Sequence, residues 1–327
     1  MGLRIGSIFI IFVTSLLATT FPIMANAVSW LKVPDALFDF AKYFGSGVII
    51  STAFIHLLAH GLGALSSECL SDAWREYPWG LTICMLSIFL LFIIELVAFR
   101  WGTSRLAKLG ITHDAHGHGV GGGHSAHGPE AGSVTNDKTK TVDGSSSSVT
   151  SHSLEYTAMM DREGATAQQI VGVGILEFGV LLHSVLIGLT LAVTEDYTVL
   201  FVVILFHQTF EGMGLGARLA HLRLPKSYRA IPLAAALVYA LATPIGIAAG
   251  LGVRSTYNSG STTSSIVMGV MDCFSAGILL YTGLVELLAH EFLFNKEMLH
   301  ASNGRLAYAI TCMCLGCAMM SLLGKWA

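Results

Sequence analysis

Eight long apolar segments, separated by shorter polar stretches, set the pattern of this 327-residue chain. They lie near residues 5–27, 37–62, 79–99, 168–193, 198–220, 230–252, 266–290 and 305–324. A helix needs about 20 mostly apolar residues to cross roughly 30 Å of hydrocarbon, so each segment is long enough to span a bilayer. The pattern predicts an all-α polytopic membrane protein with eight transmembrane helices.

Composition and charge agree with a lipid environment. The chain is 53% hydrophobic and only 12% charged, whereas soluble domains average about 25% charged residues. A net charge of -3 gives no reason to expect a nucleic acid partner. The lipid bilayer is therefore the expected surrounding of most of the chain.

The first segment requires a choice between a retained span and a signal peptide. Arg4, an apolar run and the sequence ANA at 25–27 would also fit a cleaved signal peptide. If the segment is retained and Met1 lies outside the cytosol, the positive-inside rule is obeyed. In that orientation the 18 basic residues face the cytosol apart from Arg4, Arg75, Arg254 and Lys325. We therefore expect a retained first span and both termini outside the cytosol.

The second and seventh segments resemble each other. Residues 44–60 and 274–290 share a Phe, a Gly, a Thr and the run Leu-Leu-Ala-His at a constant offset of 230. In the orientation above these two helices have opposite polarity, as in inverted-repeat transporters, whose substrate site lies near the midplane. Chance similarity between two apolar helices is the alternative. The repeat predicts a 3+2+3 arrangement, with spans 1–3 and 6–8 related around the 4–5 hairpin.

A polar segment divides the spans into residues 1–100, with spans 1–3, and residues 167–327, with spans 4–8. The intervening residues 101–166 are rich in Gly, Ser and Thr and cannot bury a core, so we expect a disordered cytosolic loop. A short His-rich tract is typical of weak metal binding, although a linker with incidental histidines is the alternative. The loop histidines are His113, His116, His118, His124 and His127.

The predicted hairpin carries most of the polar chemistry. Its polar residues are Glu177, His183, Ser184, His207, Gln208 and Glu211. Burying an ionisable group at mid-bilayer costs on the order of 2.5–3.5 kcal/mol, which a bound metal ion can offset. His207 and Glu211 are four residues apart and share a helix face, and His183 lies mid-span in the antiparallel neighbour. Two imidazoles and a carboxylate suit zinc, with iron and other first-row divalent ions as further candidates.

Three segments resemble the ZIP family of zinc and iron transporters, in its fungal and plant branch. His183-Ser-Val-Leu-Ile-Gly188 and His207-Gln-Thr-Phe-Glu211-Gly are similar to the family's fourth-span and fifth-span motifs, and residues 277–292 resemble the seventh span of fungal zinc-regulated transporters. The resemblance implies no cofactor, zinc as the transported substrate, a plasma-membrane location and transport toward the cytosol. It places the transport site on His183, His207 and Glu211. Fe²⁺, Mn²⁺ and Cd²⁺ are alternative ions, and a homodimer is a candidate assembly.

The chain departs from the two-metal site of bacterial family members. The positions of their second site fall on Ser184, Gln208 and Thr243, and none of these is a carboxylate. A further carboxylate position falls on Ile187. We therefore expect one shared metal site, with Ser184 and Gln208 as polar lining.

Other polar residues within the spans have two interpretations. They either line the entrance and exit or relay protons, or they form hydrogen bonds between helices. The residues on the repeat helices are His56, His60, Glu286, His290 and Glu291. Glu177 lies nearer the cytosolic end of its span and is a candidate receiver of the outgoing ion.

We expect alternating access, in which the repeats rock against the hairpin, rather than enzymatic chemistry. An intramembrane zinc-dependent hydrolase is one alternative function, although the chain contains no H-E-x-x-H motif. A metal-sensing membrane receptor that uses the His-rich loop is another.

Overall fold

The computed structural model describes residues 2–27, 33–108, 173–194, 197–222, 228–253 and 261–326. Within these ranges the chain is helical and contains no strand. Eight of the described helices are long and apolar enough to cross a membrane, which confirms the predicted all-α class with eight candidate spans. The chain separates into a unit of Met1–Ile94 with Gln168–Ala327 and a second unit of Glu95–Ala167. The described part of the second unit is the end of the third long helix.

The long helices are named α1 to α8 in chain order. They are α1 (Gly2–Ala27), α2 (Asp35–Ser51, Thr52–Leu58 and Ala59–Leu65 in direct succession), α3 (Trp79–Lys108), α4 (Val173–Val193), α5 (Tyr197–Ala220), α6 (Ile231–Val253), α7 (Thr262–Tyr281 followed directly by Thr282–Phe294) and α8 (Asn303–Leu323). Short helices at Asp72–Arg75 and Lys296–Leu299 precede α3 and α8.

Two helix ends differ from the sequence-based expectation. The apolar part of α3 ends at Val97, as hydropathy predicts, but the helix itself continues to Lys108 and so enters the predicted loop. Hydropathy detects the apolar part of a helix and not its polar extension. Similarly, α7 continues past the predicted residue 290 to Phe294. Residues 168–172 of the predicted fourth span lie outside the described ranges.

The helices α2 and α7 both change to π-helical winding part of the way along. The π-helical segments are Thr52–Leu58 and Thr282–Phe294. Such winding is rare and often marks functional sites. The two segments begin 230 residues apart, the same offset as the similarity between residues 44–60 and 274–290.

Close glycine contacts join α1, α5, α4 and α6 into one group, here called the site group. A Cβ at Gly216 of α5 would lie 2.2 Å from the backbone oxygen of Thr19 in α1. One at Gly188 of α4 would lie 2.4 Å from the backbone oxygen of Thr243 in α6. Small residues let helix backbones approach this closely in a membrane. The side chain of Tyr239 in α6 donates a hydrogen bond of 2.9 Å to the backbone oxygen of Gln208 in α5.

The helices α2, α3, α7 and α8 form a second group, here called the scaffold group. A Cβ at Gly316 of α8 would lie 2.1 Å from the backbone oxygen of Phe44 in α2, and one at Gly277 of α7 would lie 2.5 Å from that of Cys84 in α3. The two groups meet where Gly45 of α2 faces Gly214 of α5, since a Cβ on Gly45 would lie 2.1 Å from the Cα of Gly214.

Burial divides the helix faces between the protein interior and the surface. Leu57, Leu176, Leu215 and Leu279 come from four different helices and belong to one buried apolar cluster. Large apolar side chains such as Phe9, which is 65% exposed, occupy the outer faces. Hydrocarbon can surround such faces without the cost that water would impose.

Candidate metal site

Three polar side chains converge where α4 and α5 pack. His183, His207 and Glu211 each offer one ligand atom, these atoms lie within 4.8 Å of one another, and all three residues are buried. The helical turn between His207 and Glu211 brings Nε2 of the histidine to 3.6 Å from Oε2 of the glutamate. The rings of His183 and His207 have centroids 5.3 Å apart. Among the described residues, this is the one group of three or more metal-capable side chains.

The three side chains leave polar atoms without hydrogen bonds. Both ring nitrogens of His183, Nε2 of His207 and both carboxylate oxygens of Glu211 have no such partner in the described part of the chain. Buried polar atoms are normally paired because an unpaired one loses its hydration without compensation. A divalent cation would accept a lone pair from one ring nitrogen of each histidine and from the carboxylate. Nitrogen and carboxylate donors together favour zinc and neighbouring first-row ions over calcium or magnesium.

The polar residues beside these three are buried, and one of them links two helices. Gln208 donates a hydrogen bond of 2.6 Å from Nε2 to Oγ1 of Thr243, which links α5 to α6. Ser184 is fully buried. Uncharged amide and hydroxyl oxygens would add little to the binding of a second divalent ion.

His56 of α2 reaches the site from the scaffold group. Its ring lies edge to face with the ring of His207, with centroids 4.9 Å apart. Its Nε2 is 2.8 Å from the backbone oxygen of Met320, so this nitrogen carries the proton and donates it. The other nitrogen, Nδ1, consequently keeps a lone pair that is suitable for a metal ion.

A cavity borders two of the three converging side chains, His183 and His207. Its volume of about 90 Å³ leaves room for several water molecules. The lining residues are Ile55, His56, His60, His183, Leu186, Ile187, Thr190, Leu200, Ile204, His207, Met268, Asp272 and Gly324. The same cavity is therefore bordered by the site histidines and by His60 and Asp272.

The other candidate residues of α7 lie apart from the three-residue group. Glu291 forms an ion pair of 2.5 Å with Lys42 of α2. The ring of His290 packs against the ring of Phe294 of the same helix, 5.5 Å away. Glu286 is partly buried and does not belong to the group.

Two further predicted features lie away from the site. Glu177 is partly buried in α4, and its Oε1 has no hydrogen-bond partner among the described residues. The loop histidines His113, His116, His118, His124 and His127 lie outside the described ranges.

The sequence-based prediction missed Asp272. This carboxylate is buried in α7 and lies 2.6 Å from Nδ1 of His60 in α2. An acidic residue inside an apolar span is itself a signal of function, because its burial is costly. The predicted seventh span, residues 266–290, already contains this acidic residue.

Among the described residues, eight helices of membrane-spanning length and a buried His/His/Glu group whose two histidines border a cavity define a membrane transporter of divalent metal ions. The family model described as ZIP Zinc transporter matches residues 1–324. The chain belongs to the ZIP family, as the resemblance predicted.

Known relatives cover the whole length of the chain. It is 41% identical to Zinc-regulated transporter 1 of Saccharomyces cerevisiae, over 100% of the chain and 88% of that protein. It is 38% identical to Zinc-regulated transporter 1 of Schizosaccharomyces pombe, over 100% of the chain and 86% of the relative. Fe(2+) transport protein 2 of Arabidopsis thaliana is 32% identical, over 99% of the chain and 87% of that protein. These relatives point to a transporter and not to an enzyme, and they favour neither the hydrolase nor the receptor alternative.

Proposed function

We propose that this protein carries zinc into the cytosol through a site formed by His183, His207 and Glu211. The observation that carries the proposal is the approach of their three ligand atoms to within 4.8 Å, in a buried position on adjoining helices. A site with three protein ligands leaves a position for water and allows release, unlike a closed four-ligand structural site. The same donors would accept Fe²⁺, Mn²⁺ or Cd²⁺, which we expect to compete.

The distribution of charge along the chain supports transport toward the cytosol. With the basic loops in the cytosol, both termini lie outside it and α2 runs outward. His60 and Asp272 then lie toward the outer ends of their helices, and the cavity admits ions from the outside. Transport from outside the cell assigns the protein to the plasma membrane.

Alternating access requires that the metal site close to the outside of the membrane before it opens to the cytosol. In this proposal the site group moves against the scaffold group, and the contacts of Gly45 with Gly214 and of Gly179 with Leu279 lie between the two groups. This division differs from the expected rocking of spans 1–3 and 6–8 against the hairpin. The inverted repeat itself stays part of the proposal, supported by the matching starts of the two π-helical segments at Thr52 and Thr282.

Release takes place toward the cytosolic end of the spans. The ion pair between Lys42 and Glu291 lies at the end of the α2–α7 pair opposite His60. Glu177 is positioned on α4 to receive the outgoing ion. The histidines of the 101–166 loop then bind it weakly on the cytosolic side.

Uptake of zinc-65 by cells that express the chain tests this function. We expect saturable accumulation inside the cells above a vector control, reduced by unlabelled zinc more than by iron, manganese or cadmium. Absence of accumulation, with the protein present at the cell surface, would overturn zinc import. Stronger uptake of iron-55 than of zinc-65 would replace zinc with iron as the main substrate.

A further inference from the structure

We propose that His60 and Asp272 form an entry site that binds the incoming metal ion before it reaches the buried site. The inference rests on the proposed function, because an entry site has a meaning only if ions pass. Nδ1 of His60 and Oδ2 of Asp272 lie 2.6 Å apart, on different helices. The His60 side chain is 50% exposed whereas that of Asp272 is 5% exposed, so the pair joins the surface to the interior.

The two atoms that share a hydrogen bond are both metal ligands. An imidazole nitrogen and a carboxylate oxygen are the same donor types as in the buried group, and an ion can replace the shared proton. Among the described residues, the one ion-pair partner of Asp272 is His60. A buried carboxylate without a Lys or Arg partner is poorly compensated. It therefore attracts cations to this part of the cavity.

The opposite end of the same helix pair has a different chemistry. There Lys42 of α2 and Glu291 of α7 form an ion pair of 2.5 Å. An ammonium group has three hydrogens and no lone pair, so it neutralises the carboxylate and cannot ligate a metal. Lys42 and Asp272 occupy matching positions at the offset of 230 residues. Of these two contacts between α2 and α7, the His60–Asp272 pair is therefore the one that can take a metal ion.

A chain of donors connects the entry site to the buried site. His56 lies four residues before His60 on α2, about one turn away along the helix. The ring of His56 is in turn 4.9 Å from the ring of His207. All these residues line one cavity. A two-ligand site at the mouth holds the ion less tightly than a three-ligand site deeper in, which favours inward movement.

Zinc-65 uptake kinetics of H60N and D272N test the entry site. Asn retains hydrogen-bonding groups at both positions but removes the imidazole or the carboxylate. If the pair binds metal, KM for zinc rises about tenfold, equivalent to about 1.4 kcal/mol of lost binding, while Vmax per surface molecule stays near the wild-type value. If the pair merely holds α2 against α7, KM stays at the wild-type value, and that result would overturn the proposal.

A charge-pair variant at the other end of the helices provides the matched control. K42Q removes an ion pair between α2 and α7 without removing a metal ligand, so KM for zinc should not change, whatever happens to Vmax. A rise in KM equal to that of D272N would assign both effects to helix packing and overturn the entry site. Surface amounts are measured with an epitope tag on the full-length protein.

The preference among competing metal ions gives a second measurement, which would not change if the pair were only a structural contact. H60D replaces a nitrogen donor by a harder oxygen donor, which favours Mn²⁺ relative to Cd²⁺. We expect a lower KM than in H60N, together with stronger competition by Mn²⁺ and weaker competition by Cd²⁺. An unchanged competition pattern in H60D, with a wild-type KM in H60N, would contradict a metal-binding role even if D272N failed to reach the surface.

The same assay separates failure of the entry site from failure of the proposed function. If the wild-type chain takes up no zinc, the proposed function fails. If H207A takes up zinc normally, the assignment of the buried site fails. If the wild type transports, H207A does not, and H60N and D272N have a wild-type KM, only the entry site is overturned.

Discussion

The rings of His56 and His207 lie edge to face, 4.9 Å apart, although they come from helices of the two different groups. His207 belongs to the three-residue site, whereas His56 is fixed to the scaffold group through the backbone oxygen of Met320. Any sliding of one group past the other must change this contact. Such sliding would add a fourth ligand to the site or remove it, with His56 as the third nitrogen donor, and would thereby couple metal binding to the motion.

Replacing a ligand of the buried site should abolish transport. H207A and E211A each remove one of three ligands, and even residues that only support metal ligands often cost about 10–100-fold in affinity or activity. We expect zinc-65 uptake at the level of the vector control, with normal amounts of protein at the surface. T209A is the matched control, because the Thr209 hydroxyl bonds to the backbone oxygen of Leu205 in its own helix. Wild-type uptake by either ligand variant would contradict the site.

The contact between the two helix groups should not tolerate a side chain. A Cβ at Gly45 would lie 2.1 Å from the Cα of Gly214, so G45A forces α2 and α5 apart. Overpacking of this kind costs about 1–3 kcal/mol, and we expect a lower melting temperature in detergent and reduced zinc uptake. The matched control is G63A, because Gly63 lies on the same helix and a Cβ there would have no atom within 4 Å. It should be neutral or stabilising by up to about 1 kcal/mol, since Ala favours helix. Equal melting temperatures of the two variants would refute the close contact.

Cys69 provides a test of the orientation. It is exposed after α2, and the hydroxyls of Ser67 and Ser265, at 3.3 and 3.6 Å from its sulfur, lower the pKa of its thiol. A lower pKa increases the thiolate fraction at neutral pH and speeds alkylation. We expect a membrane-impermeant maleimide to label Cys69 on intact cells, and C69S to lose this label.

The control for orientation places a thiol on the predicted cytosolic side. His300 is exposed between α7 and α8. H300C in the C69S background should react with the maleimide only after the membrane is permeabilised. Labelling of this variant on intact cells, with no labelling of Cys69, would reverse the orientation and with it the proposed direction of transport.

The helices and most of the buried site could be predicted because both depend on local sequence. Apolar length sets the spans, and the spacing of four residues places His207 and Glu211 on one face of α5. The short connection between the fourth and fifth spans brings His183 opposite them. By contrast, His60 and Asp272 are 212 residues apart in the chain. No local pattern pairs such distant residues.

The grouping of the helices was also beyond sequence-based prediction. Spans that are apolar on nearly every face do not reveal by hydropathy which face meets another helix and which meets lipid. Glycines indicate where close packing is allowed, but Gly45 and Gly63 look alike in sequence although only the first faces a neighbouring backbone. The π-helical winding of α2 and α7 also depends on how the helices pack.

Zinc flux into liposomes that contain the purified full-length protein tests the central claim most directly, because it separates transport from every other cellular process. With zinc-65 outside and a chelator inside, the wild-type protein should accumulate the ion with time, and E211A should match protein-free liposomes. Equal accumulation by wild type and E211A, at equal protein incorporation, would contradict transport through the His183, His207 and Glu211 site.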